Sequence, residues 1–186
     1  MRASIEIRRL TEADAPALWR LRLTALESEP YAFAESPAEH FRTTVEGFGA
    51  RLREASGESL VLGAFDGPAL VGMVGLYREQ RIKRRHKAGI WGMFVLPEYR
   101  GQGTARSLVS HALEEARAMP GVRQVFLSVV VTQSAARRLY VALGFHSYGV
   151  EPQSLEVNGE LFNEEHMYFR LPGEAPTSKG PPDLRE

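Results

Sequence analysis

Cysteine is missing from all 186 residues. Without it the chain has no disulfide framework, no thiolate zinc site and no cysteine nucleophile. A surplus of either charge is missing too: 23 basic and 23 acidic side chains leave the formal net charge at zero. A neutral chain has no overall attraction to nucleic acid or an anionic membrane, so such a partner would need a local patch. No run approaches the ~18 apolar residues of a membrane helix. The opening residues, Met1-Arg2-Ala3-Ser4-Ile5-Glu6 with Arg8 and Arg9 close behind, lack the apolar core of a secretory signal. No cluster of side chains has metal-ligand spacing, so no metal is expected. These absences leave a cytoplasmic protein as the expectation, with no membrane and no nucleic-acid partner.

What is present suits one globular domain. Hydrophobic residues make up 44% and charged residues 25%, enough apolar surface for one well-buried core at this length. Ser4 to Arg8 alternates as a short strand would. Thr11 with Asp14 approximates a capping box, and Leu18, Leu21 and Ala25 give the helix behind it an apolar face. A second helix is expected over Pro37 to Glu54, weakened by Gly47 and Gly49. Two strands, Ser59 to Phe65 and Ala69 to Tyr77, flank the hairpin signal Asp66-Gly67. Gly72 and Gly75 mark a bulge or a close backbone approach. A third strand follows over Lys87 to Val95.

Thr104 to Met119 carries the clearest helical period, through Ala105, Leu108, Val109, Ala112, Leu113 and Ala116, and Pro120-Gly121 ends it. Then come a strand at Gln124 to Val131, a helix at Ser134 to Leu143 stopped by Gly144, and strands at Phe145 to Val150 and Leu161 to Leu171. Asn158-Gly159 marks the last turn. The order β-α-α-β-β-β-α-β-α-β-β predicts an α/β (α+β) fold: a mixed, mostly antiparallel central sheet of about seven strands flanked by four helices. Residues 1–171 read as a single domain. The Pro- and Gly-rich 172–186 reads as a disordered tail; a partner subunit, and so a homodimer, is one way to hold it.

The strongest site signal is Arg100-Gly101-Gln102-Gly103-Thr104-Ala105, between a strand and the long helix. Two glycines let the backbone turn tightly and approach a ligand. The first helical turn has N–H groups without internal partners, and with the helix dipole they make an anion site suited to a pyrophosphate. A plain glycine-rich strand-to-helix turn is the competing account. No Lys-Ser or Lys-Thr pair follows the glycines, so this is not a P-loop, and it is not the Gly-x-Gly-x-x-Gly dinucleotide fingerprint.

Here the sequence resembles the GNAT superfamily of acetyltransferases. The family's cofactor motif is Arg/Gln-x-x-Gly-x-Gly/Ala, which Arg100, Gly103 and Ala105 match in register. Its second motif, Asn-x-x-Ala-x-x-Leu-Tyr followed by Gly-Phe, is similar to Gln133-Ser134-Ala135-Ala136-Arg137-Arg138-Leu139-Tyr140 with Gly144-Phe145. Trp91 to Glu98 resembles the family strand that splays open beside the cofactor. The match covers about Trp91 to Phe145. It looks closest to a bacterial branch with Trp-Gly-Met before the loop, and Glu-Pro and His-Met near the end. One departure is Gln133, where the family has Asn; it keeps the amide and adds a methylene.

The resemblance implies acetyl-CoA (or CoA) as cofactor and acetyl transfer to a primary amine of a small molecule, a peptide or a protein. It implies that the backbone of Met93, Phe94 and Val95 pairs with the pantetheine arm as an extra strand would. It assigns the pyrophosphate to Arg100, Gly101, Gln102, Gly103, Thr104 and Ala105, and further cofactor contacts to Gln133, Ala136 and Tyr140. Tyr140 becomes the catalytic candidate, because a phenol can protonate a leaving thiolate at neutral pH; core packing is the alternative. The general base stays open among a water chain, Glu35, Glu39, His86 and Glu151, since Ala88 to Val95 holds no Asp, Glu or His. Tyr31, Phe33, Glu35 and Glu151 are candidate acceptor-site residues.

Arg78 to Lys87 holds six Lys or Arg in ten residues. It reads as a solvated hairpin tip or as an attractor for an acidic partner. Eight strand residues at ~3.3 Å each put it ~26 Å from the Arg100 loop. Two other functions compete with the enzyme: a non-catalytic CoA-binding or regulatory module of the same fold, and an RNA-binding protein. The second lacks aromatics interleaved with its basic residues.

Overall fold

The computed structural model describes residues 5–55 and 57–173. The chain runs β1 (Glu6–Arg9), α1 (Ala15–Ser28), α2 (Pro37–His40), α3 (Val45–Glu54), β2 (Ser59–Asp66), β3 (Ala69–Arg78), β4 (Lys87–Val95), α4 (Thr104–Ala118), β5 (Gln124–Val130), α5 (Ser134–Ala142), β6 (His146–Val157) and β7 (Glu160–Arg170). The seven strands form one sheet in the order β1-β2-β3-β4-β5-β7-β6. Every neighbouring pair is antiparallel except β4 and β5. This is the mixed, mostly antiparallel sheet expected from the element order. The predicted start of the first strand at Ser4 and most of the predicted tail lie outside the described residues.

Two layers of helix cover the sheet. α4 lies across β2, β3 and β4, and its stripe of Leu108, Val109, Ala112, Leu113 and Ala116 packs with Leu62, Val74, Leu76 and Val125 in one core. α1 and α3 cover the other face, where Leu18, Leu21, Ala25, Phe48 and Leu52 meet Phe65, Met73 and Phe94. The period-3.6 stripes therefore point where burial requires.

The predicted helix over Pro37 to Glu54 is two helices, which makes five α-helices among the described residues. Ser36 and Glu39 close a capping box on α2, and Thr44 restarts the chain by accepting the Gly47 N–H on α3. The break has a tertiary cause. The Trp19 indole donates to the Thr43 carbonyl at 2.8 Å, taking an oxygen that a continuous helix would use. His40 is fully buried between Trp19 and Phe48, with ring centroids at 4.8 and 5.3 Å. The last hairpin is also longer than expected: β6 continues past Val150 through Pro152. A register shift between Glu151 and Leu155, with Gln153 at φ 54°, absorbs the proline. Asn158 and Gly159, both at positive φ, close the turn to β7.

Candidate functional site

β4 and β5 separate almost as soon as they meet. They pair only at Lys87–Gln124, Ala88–Val125 and Gly89–Phe126. Beyond that point β4 makes a bulge: Gly92 and Met93 oppose the single Val74 of β3, and Gly92 takes φ 62°. A bulge adds twist and re-aims the strand. Gly75 supports the turn from the other side, because a Cβ there would lie 2.0 Å from the Trp91 ring. The divergence opens a cleft of about 470 Å³ between Trp91–Val95 of β4 and Leu127–Val130 of β5. Pockets of that volume suit small-molecule ligands. Backbone groups of β4 and β5 that face this gap have no strand opposite them, so an extended amide chain can pair there.

One end of the cleft is the Arg100 loop. Gly101 and Gly103 take φ 71° and 85°, values that only glycine adopts readily. A Cβ at either would meet no atom within 4 Å, so both glycines border open space. The first α4 hydrogen bond runs from the Ser107 N–H to the Gly103 carbonyl at 2.9 Å. The N–H groups of Thr104, Ala105 and Arg106 precede it and lack a helical acceptor, which is the anion-binding geometry expected. An open glycine cradle, free amide donors and a splayed strand edge together fit a ligand with a phosphate end and an amide-rich arm.

The structure brings most of the expected residues to this one cleft: Met93, Phe94, Val95, Arg100, Gly101, Gly103, Ala105, Gln133, Ala136 and Tyr140 all line it. Gln102 and Thr104 do not. The Gln102 amide donates to the Glu98 carbonyl at 2.9 Å, and the buried Thr104 hydroxyl donates to the Tyr99 carbonyl at 3.2 Å. Arg100 is only partly available: it pairs with Glu29 at 2.9 Å, donates to the Val95 carbonyl at 2.9 Å and lies over Phe94. Arg106, in the first turn of α4, also lines the cleft and has no ion-pair partner among the described residues. No sequence signal singled it out, since a basic residue in an amphipathic helix looks like solvated surface.

Tyr140 is 5% exposed and packs edge-on to Phe145 with centroids at 5.8 Å. Burial pushes its hydroxyl up to about 12, so it stays protonated at neutral pH. Gln133 forms no side-chain cap on α5, which frees its amide at the cleft wall.

The acceptor-site residues are dispersed. Phe33 lines the cleft; Tyr31 packs on Phe162 of β7 at 4.9 Å, tying the loop after α1 to the last hairpin. Glu35 is anchored by the buried Arg22, whose Nε and Nη2 reach one carboxylate oxygen at 3.0 and 2.9 Å. Among the base candidates, Glu39 is occupied in the α2 capping box, and hydrogen bonds from Ser36 hold its carboxyl below the usual range. His86 precedes β4, at the end away from the loop. Glu151 instead accepts a hydrogen bond from His166 at 3.0 Å. The basic segment is tied down locally, with Arg78 and Arg85 on Glu58 and Arg84 on Glu79.

Residues 19–145 match the model of the acetyltransferase (GNAT) family. The chain belongs to that family. Among solved structures, this GNAT fold superposes on a GNAT-family acetyltransferase from Streptococcus pneumoniae with a TM-score of 0.82 at 23% identity, covering 90% of this chain and 100% of that one. YncA, a putative acetyltransferase from Salmonella typhimurium described with its cofactor acetyl-CoA, gives 0.79 at 20% identity, over 96% and 100%. The spermidine N(1)-acetyltransferase of Vibrio cholerae serotype O1 is 27% identical over 97 residues. That stretch is 52% of this GNAT chain and spans only 56% of the relative. No described helix is long and apolar enough to cross a membrane.

Proposed function

We propose that this chain is an acetyl-CoA-dependent N-acetyltransferase that acts on a primary amine of a small molecule, peptide or protein. The observation that carries the reading is the β4–β5 cleft, with a glycine cradle at one end and a buried, protonated tyrosine along its wall. Bound acetyl-CoA supplies an acetyl group activated as a thioester. The free N–H groups of the α4 first turn, with Arg106 and the exposed part of Arg100, would hold its pyrophosphate. The backbone of Met93 to Val95 would take the amide arm, and the Gln133 amide and Ala136 would bound its other side. Tyr140 would donate its proton toward the departing sulfur, a role that needs a group still protonated at neutral pH. The acceptor would enter past Phe33, under the bridge made by Tyr31 and Phe162. A cytoplasmic location and the absence of a nucleic-acid partner belong to the same reading.

The test is acetyl-CoA consumption across a panel of polyamines, amino acids, peptide N-termini and lysine side chains. Turnover with at least one class is expected. Tight CoA binding with no turnover on any class would leave a CoA-binding module instead.

A further inference from the structure

Ser128, His166 and Glu151 lie on three neighbouring strands and are joined by two hydrogen bonds. Ser128 of β5 lines the cleft. Its neighbours Leu127 and Val129 are buried in the α4-side core, so strand alternation turns Ser128 to the opposite face. In the β5–β7 register its direct partner is His166. The Ser128 Oγ lies 2.8 Å from His166 Nδ1, and His166 Nε2 lies 3.0 Å from Glu151 Oε2 on β6. The Tyr148 ring leans against the imidazole at 5.8 Å. Apart from Glu151 as a candidate acceptor-site residue, no other role in the site uses these side chains.

Their chemistry orders the protons. A carboxylate only accepts, so Nε2 carries the hydrogen toward Glu151. In the neutral imidazole Nδ1 is then bare and accepts the Ser128 O–H. The serine oxygen keeps lone pairs for a donor in the cleft.

We propose that Ser128, His166 and Glu151 form a proton relay that takes the proton from the acceptor amine. The proposal rests on the acetyltransferase reading and supplies the general base that β4 lacks. One proton moves at each link. The amine N–H passes its proton to Ser128 Oγ as the Ser128 O–H proton passes to His166 Nδ1. The resulting imidazolium is offset by the Glu151 carboxylate, and it later returns the proton to water. Ser128 ends as it began, and no oxidant or further reactant is needed. The orienting carboxylate and proton-accepting imidazole follow the logic of hydrolase triads, with a serine that conducts a proton in place of attacking.

The experiment begins on the free protein. Imidazole ¹⁵N NMR should show His166 fixed as the Nε2–H tautomer in wild type and mixed in Glu151→Gln. Kinetics then use an amine that the acceptor panel finds active. His166→Gln should lower kcat by about 10², the low end for a lost general base, with the KM for acetyl-CoA unchanged. Ser128→Ala should lower kcat less, because a water can bridge the gap, and the CoA-induced rise in Tm should persist in both. Three results would overturn the relay while leaving the acetyltransferase reading intact: an Nδ1–H tautomer, a His166→Gln kcat within twofold of wild type, or an acetyl group trapped on Ser128. Wild-type protein that binds CoA yet acetylates no amine would overturn the enzymatic reading and the relay together.

Discussion

Tyr140→Phe removes one hydroxyl from the cleft wall and keeps the ring. Contact with Phe145 at 5.8 Å should survive, so the change reports on the proton rather than on packing. Burial holds the phenol at about 12. A thiol ordinarily titrates near 8.5, about 3.5 units lower, so complete transfer is uphill by about 5 kcal/mol even to the departed thiolate, and by more while the C–S bond is intact. The phenol therefore acts mainly by hydrogen bonding to the sulfur as negative charge develops there, which argues for the lower end of the general-acid range. The expected loss is about 10² in kcat, with little change in the KM for acetyl-CoA, the pattern of a contact made in the transition state. Thioester consumption under saturating acetyl-CoA measures it. The same hydroxyl leaves a second signature that needs no acceptor. The unfolded tyrosine ionises near 10, whereas the folded one holds its proton to about 12. This contribution is full below pH 10 and is lost as the pH rises from 10 to 12, by up to about 3 kcal/mol. Tyr140→Phe should flatten that part of the stability curve relative to wild type. Wild-type turnover in the variant with chemistry rate-limiting, together with an unchanged alkaline slope, would refute both the burial and the proton-donor argument.

Gly103→Glu should abolish the CoA-induced rise in Tm while the protein stays folded. The added side chain meets no atom within 4 Å at Cβ, but it places bulk and negative charge at the cradle, and the left-handed φ costs about 1–2 kcal/mol. Undiminished CoA binding would make the loop purely structural. Asp14→Asn probes the first turn: the Arg8 guanidinium, with help from Thr11, lowers the Asp14 carboxyl to about 2. Its contribution is present above the ordinary carboxylate value and is lost as the pH falls toward 2. The variant should therefore melt lower than wild type at pH 7, and the gap should close near pH 2; a gap that is constant with pH would contradict the ion-pair account.

The cleft was legible because its parts are local. The two glycines, the helix behind them and the Gln133–Tyr140 helix sit within short stretches of sequence, and their physics needs no distant partner. The α2–α3 break was not, because it depends on the Trp19 indole reaching the carbonyl of a residue 24 positions on. The full length of β6 was hidden by Pro152, whose disruption a bulge confines. The Ser128–His166 pair joins residues 38 apart through strand register, which no local pattern encodes. Glu151 was visible as a carboxylate, but its partner was not. Arg100 stood out for its place in the motif, yet Glu29 claims part of its charge, while Arg106 faces the cleft without such a competitor among the described residues.

Thermal denaturation of the wild-type protein with and without CoA tests the central claim most directly, because a ligand that binds only the folded cleft must stabilise it. At 100 times its Kd, CoA should stabilise the fold by about 2.7 kcal/mol. At about 2–4 °C per kcal/mol for a chain of this size, that raises Tm by about 5–11 °C. An unchanged Tm at millimolar CoA would contradict the assignment of the β4–β5 cleft as the cofactor site.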